Sequence, residues 1–239
     1  MHPQQRPYRY YDFFMAAYVC VLLCANLIGA AKVSTVELPV VGPVTFLTGV
    51  LFFPISYFFG DVLTEVYGYA RDRRVVWAGF GALGFASLMA YTVVHMPPAQ
   101  EFMSRQPAIE QIFGSTPRIV LASIIAFWCG SFANSFVLAK LKILTQGKHL
   151  WLRTIGSTAV GEGVDSTIFM TIAFYGLMPN AVLASAILTQ YILKVLWETL
   201  ATPITYPLVA FVKRQEEVDF YDRDTQFTPF SLKTNDGRA

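Results

Sequence analysis

Three pairs of ionisable residues stand inside long apolar stretches of this chain: Asp61 and Glu65, Glu162 and Asp165, Lys194 and Glu198. Their spacings of four, three and four residues put each pair on one face of a helix. Gln190 extends the last face by one turn, with Trp197 beside it. Asn26 and Asn134 add two more polar groups in apolar surroundings. Carboxylates and a lysine at such spacing can serve acid–base chemistry, ion pairing that pins helices, or recognition of a polar solute.

Catalysis is poorly served by the rest of the sequence. There is no HExxH, no GxSxG and no histidine in the middle of an apolar stretch, so a nucleophile–base pair or a metal set is not visible. No glycine-rich phosphate loop is present, which excludes ATP hydrolysis by this chain alone, and nothing calls for a cofactor. Pinning remains open for Lys194 with a single carboxylate. For Asp61 and Glu65 the plain alternative is a helix end paired with the nearby Arg71 to Arg74 cluster. For the whole set pinning is weaker, because five acids face one base. A charge at the centre of a membrane helix costs roughly 2.5 to 3.5 kcal/mol. An enclosed polar cavity, holding water, protons or a substrate rich in hydrogen-bond donors, is the economical explanation. A carrier of a small polar solute is what these residues leave. The second reading is the substrate-capturing subunit of an uptake complex powered by separate ATPases.

The elements that must position these groups are membrane helices. Hydrophobic residues make up 54% of 239, charged residues only 14%, and the mean hydropathy is +0.46, against about a quarter charged in soluble domains. About 18 apolar residues cross the roughly 30 Å hydrocarbon core as a helix. Six such stretches can be drawn, near 13–31, 44–66, 75–95, 118–139, 154–177 and 181–212. Pro54 lies in the second; Pro203 and Pro207 in the last predict a tilt or kink. A polar, interfacial segment spans 99–116. The fold class predicted is an all-α integral membrane protein of one domain, with residues 1–12 before the membrane region (13–212) and a tail (213–239). Cys20 and Cys24 share a helix face and read chiefly as small residues packing a helix interface.

Lysine and arginine collect on the cytoplasmic side. Fourteen fall in the two termini and the loops on their side, and three (Lys32, Arg105, Arg118) on the other. Both termini are therefore expected in the cytoplasm, with an even number of spans. This topology also explains the basic residues without any nucleic-acid partner. Ala25-Asn26 precedes Ala31-Lys32 at the spacing by which Ala133-Asn134 precedes Ala139-Lys140. Gly60-Asp61 with Glu65 loosely echoes Gly161-Glu162 with Asp165. Such echoes suggest two inverted three-helix repeats, a plan that puts a substrate near the midplane.

Taken together, Gly60-Asp61-Val62-Leu63-Thr64-Glu65-Val66-Tyr67-Gly68, Gly161-Glu162-Gly163-Val164-Asp165-Ser166 and Lys194 to Thr199 with Pro203 resemble the queuosine precursor transporter family, once grouped as putative vitamin uptake transporters. The tail Tyr221-Asp222-Arg223-Asp224-Thr225 with Phe227-Thr228-Pro229-Phe230 is similar to its C-terminal signature. The resemblance covers essentially the whole chain. It implies an inner-membrane importer of 7-deazaguanine bases (7-cyano, 7-aminomethyl, or queuine) for tRNA modification. Association of two copies is left open. The N1–H and amino edge of such a base suits one carboxylate, with Glu198 or Glu162 the expected grip and Trp197 or Tyr191 an aromatic wall. The substrate set expected is thus Asn26, Asp61, Glu65, Asn134, Glu162, Asp165, Gln190, Lys194, Trp197 and Glu198.

Overall fold

The computed structural model of the protein describes residues 8–29, 32–39, 42–114 and 117–233. Arg6 and Arg238 of the charge count, and Ala31 of the internal echo, lie outside them. Helix α1 covers Tyr11–Leu27, α2 Phe53–Tyr67, α3 Tyr69–His95, α5 Pro117–Leu144, α6 Leu150–Phe174 and α7 Asn180–Glu216. The polar stretch after α3 forms a 3-10 turn, Gln100–Arg105, and a short helix α4, Gln106–Phe113.

One expected span is redrawn. Residues 44–66 are not a single helix: β1 (Val33–Leu38) and β2 (Gly42–Leu47) form an antiparallel hairpin, with Val33 opposite Leu47. A 3-10 turn (Thr48–Leu51) then leads into α2. β-branched residues and a glycine–proline pair at 42–43 favour the extended form, with Gly42 at φ 81°. Pro54 sits in the first turn of α2, where its missing N–H costs nothing. It opens the helix instead of bending it.

Helices α2 with its leading turn, α3, α5 and α7 lie in stretches long and apolar enough to cross a membrane; α1, at 17 residues, is apolar but shorter. α7 shows the membrane's inversion of the usual pattern. Leu188, Ile192, Leu196, Leu200 and Ile204 form an exposed apolar stripe, while Lys194, Glu198, Thr205 and Val212 are buried. Lipid solvates the first face, and the polar groups turn inward because no water is available outside. Cys20 and Cys24 are also exposed, on the outer face of α1, so they do not pack a helix interface.

Among the described residues, the start of α1 meets the end of α2 and the start of α3. The end of α5, the start of α6 and the end of α7 meet there too, at Glu65. There the tail ties them together. Glu216 accepts from the backbone N–H groups of Arg9 and Tyr10 and from the Tyr67 hydroxyl. The backbone N–H of Tyr69 donates to Asp222. Arg73 donates to the carbonyls of Gln226, Thr228 and Lys233, and Trp77 to that of Pro229. Gly68, at φ 85°, brings the chain against Phe220, where a Cβ would meet the ring.

Candidate substrate site

The α5–α6 seam is built on two glycines. A Cβ on Gly130 would lie 2.5 Å from the Tyr57 hydroxyl and 2.7 Å from Asp165 Cβ; one on Gly161 would lie 2.7 Å from Asn134 Cβ. With nothing larger there, α5 and α6 close on each other and α2 slots alongside. Asp61, Asn134, Glu162, Asp165, Lys194 and Glu198 are all buried as a result.

Lys194 connects α7 to α6. Its Nζ lies 2.5 Å from Asp165 Oδ2 and 2.7 Å from Glu162 Oε2, and 4.6 Å from the centre of the Phe53 ring. Asn134 donates to Asp61 Oδ1 at 2.7 Å. Asp61 Oδ2, Glu162 Oε1 and both Glu198 oxygens have no hydrogen-bond partner among the described residues.

Only part of this set reaches open space. A cleft beside the Lys194–Asp165 pair is lined by Asn26, Ser123, Asp165, Gln190 and Lys194, with Phe53, Phe169, Ala25, Gly49 and Val50 completing the wall. Ser123 donates to Asn26 Oδ1 and Gln190 to the Met170 sulfur. Gly49 lets its turn approach α1, since a Cβ there would be 3.0 Å from the Ala25 carbonyl oxygen. The cleft thus combines hydrogen-bonding groups of both kinds, one anion and one cation with two phenyl rings.

Of the ten residues expected at the site, four line this cleft: Asn26, Asp165, Gln190 and Lys194. Asp61, Asn134, Glu162 and Glu198 form a closed layer behind them. Trp197 is half-buried and outside the cleft wall. Glu65 belongs elsewhere. It pairs with Arg153 (Nη2 2.8 Å from Oε1) and Lys213 (2.7 Å), and accepts at its backbone carbonyl from Lys142. Lys142 and Lys213 also bind Asp219, at 2.6 and 2.8 Å. Burial would raise the Asp219 carboxyl, but hydrogen bonds from these two lysines outweigh it and hold it below its ordinary value. Asp222 is raised by burial, opposed by the Tyr69 N–H and the Thr225 hydroxyl.

The pairing of Glu65 with the Arg71–Arg74 cluster is therefore replaced by cations from α5, α6 and α7. Lys142 and Arg153, read as loop residues, lie inside helix ends because α5 runs to Leu144 and α6 begins at Leu150. Phe53, Ser123 and Phe169 were missed as lining residues. Phe169 carried a signal, one helical turn beyond Asp165.

Buried charge facing inward, apolar helix surface facing outward and a polar cleft among the helices fit a multi-pass membrane protein, and comparison with known proteins makes it a transporter and not an enzyme. A family model described as "Putative vitamin uptake transporter" matches residues 48–208, and the chain belongs to that family. It is also 34% identical, over 195 residues, to a "Probable queuosine precursor transporter" of Bacillus subtilis (strain 168), covering 81% of this chain and 82% of the relative. No solved structure matches.

Proposed function

We propose that this protein imports queuosine precursors across the inner membrane: 7-cyano- or 7-aminomethyl-7-deazaguanine, or queuine. The observation that carries the reading is the cleft of Asp165, Lys194, Asn26 and Gln190 between Phe53 and Phe169, joined to the relative's name. A 7-deazaguanine offers N1–H and an exocyclic amino group on one edge and a carbonyl oxygen next to them. Asp165 has Oδ2 engaged by Lys194 and Oδ1 left to accept from that edge, and Lys194 donates to the carbonyl. The flat ring suits the phenyl walls. The grip passes from Glu162 and Glu198 to Asp165, since the first two lie behind the cleft wall.

The reading includes six spans with both termini cytoplasmic and two three-helix halves of opposite orientation. The gathering of one end of each of these helices around Glu65 and the fourteen-to-three charge bias support it. A C-terminal alkaline phosphatase fusion is expected to stay in the cytoplasm and be inactive; an active, periplasmic fusion would overturn this topology.

The test is uptake of a labelled base by vesicles containing the lone chain, with the three bases in competition. Uptake without an added ATPase separates this reading from that of a capturing subunit. Asp165→Asn replaces an acceptor oxygen with a donor facing the base's own donors. Loss of that charge-assisted bond, with a donor left unmade, costs about 3 kcal/mol, or roughly a hundredfold in affinity. Normal uptake by a stably inserted Asp165→Asn protein would show that the base binds elsewhere.

A further inference from the structure

We propose that the proton is the coupling ion of this transporter, and that Glu198 on α7, with Asp61 across from it on α2, is the site that carries it. This rests on the transport reading above. Glu198 is 0% exposed, and neither carboxylate oxygen has a hydrogen-bond partner among the described residues. The ammonium nearest in sequence, Lys194, is committed to Glu162 and Asp165 of α6. From α2, Asp61 stands within electrostatic range of Glu198, and Glu162 does so from α6. Glu65, one turn beyond Asp61, is occupied by Arg153 and Lys213. Among the described residues, these four acids therefore share one lysine, and Glu198 has no cation of its own.

A second observation points the same way. Asn134 uses its amide N–H₂ on Asp61 Oδ1, while its own carbonyl oxygen is buried and without a partner. Asn134 Oδ1, Asp61 Oδ2 and both Glu198 oxygens are all acceptors. What satisfies such a group is a hydrogen carried by one of the acids. An unpaired carboxylate sealed from water is sustainable only in its neutral form, so this closed layer holds a proton.

The link to substrate follows from helix spacing. Glu198 is four residues from Lys194 and shares its face. When the bundle opens and water reaches Glu198, the proton leaves and the new carboxylate competes for the Lys194 ammonium. Asp165 then loses its partner, and with it the arrangement that holds the base.

The experiment uses the full chain in proteoliposomes with a pH dye in the lumen and the membrane potential clamped. Acid outside is expected to drive 7-cyano-7-deazaguanine inward beyond its external concentration, and added base to acidify the lumen. Glu198→Gln should lower both at least tenfold while exchange of base between equal pools at one pH persists; Glu198→Asp should restore part of the coupling. Accumulation that ignores the pH gradient, that follows a sodium gradient instead, or that survives in Glu198→Gln overturns the proposal. Infrared difference spectra across a pH titration give a readout that needs no substrate: a protonated-carboxyl band in the wild type, absent in Glu198→Gln. If no base enters under any condition, the transport reading fails and this band alone decides the proton site; its absence refutes it.

Discussion

Glu65 sits where four helices converge, and its neutralisation should destabilise the fold more than it impairs binding. The Arg153 guanidinium grips it with Nη2 at 2.8 Å from Oε1 and Nε at 3.1 Å from Oε2. Lys213 reaches Oε1 at 2.7 Å and Lys142 lies 3.7 Å away. Two acids, Glu65 and Asp219, face three cations, and Arg153 and Lys142 are each only 1% exposed. Glu65→Gln keeps the shape and leaves Lys142 and Lys213 with Asp219, whose side chain is 44% exposed. Among the described residues, it leaves the Arg153 guanidinium with only the neutral acceptors Thr145 and the Lys148 carbonyl besides the new amide. Breaking a buried pair from one side costs about 3 to 5 kcal/mol. The low end applies here, because Lys213 is 22% exposed and can turn to water, and the amide oxygen still accepts one bond. Against total stabilities of about 5 to 15 kcal/mol, a loss near 3 kcal/mol lowers the melting temperature by roughly 6 to 12 °C. A thermal melt of purified protein in mild detergent reads this directly. Glu65→Gln with Arg153→Met should recover part of the loss, since it removes a stranded charge. A melt within 2 °C of wild type, together with lost uptake, would mean that Glu65 serves the substrate and that the ion cluster is incidental.

Other consequences are open to simpler tests. Gly130→Ala should cost about 1 to 3 kcal/mol by overpacking the α5–α6 seam, visible in the same melt, whereas Gly84→Ala, with nothing within 4 Å of its new methyl, should change little. Arg73→Met removes the donor to three tail carbonyls, so trypsin should cut at Arg223 faster while the helices stay intact. The Asp219 carboxyl is held low in the folded state, so its contribution is present above the free aspartate value of about 3.9. That contribution is lost only as pH falls through the lower folded value. Amide exchange over residues 217–233, corrected for intrinsic rates, should stay slow from pH 7 to 4 and quicken below. Quickening already at pH 5 to 6 would assign the tail's anchor to another group.

Much of this protein was determined by composition and period. Length and hydropathy read the apolar stretches as membrane helices, and four helices among the described residues lie in stretches long and apolar enough to cross a membrane. Spacing by three or four residues was enough to put Glu162 with Asp165, and Gln190 with Lys194 and Glu198, on shared faces. Period says which residues look the same way, however, and not which helix they meet. That Lys194 meets both α6 acids, that Glu198 then has no cation, and that Glu65 draws its partners from α5, α6 and α7 follow from how the helices pack. The close approach permitted at Gly130 and Gly161 decides that packing. The hairpin at 33–47 escaped for another reason: its second strand runs without a charge into the apolar stretch of α2, so hydropathy alone drew 44–66 as one span. Phe169, one helical turn beyond Asp165, at least shared its face. The other cleft ring, Phe53, is a hydrophobic residue like many others in the chain, and only the fold could bring it to the charged pair, because a phenyl ring costs nothing to leave in lipid and its sequence position records no preference.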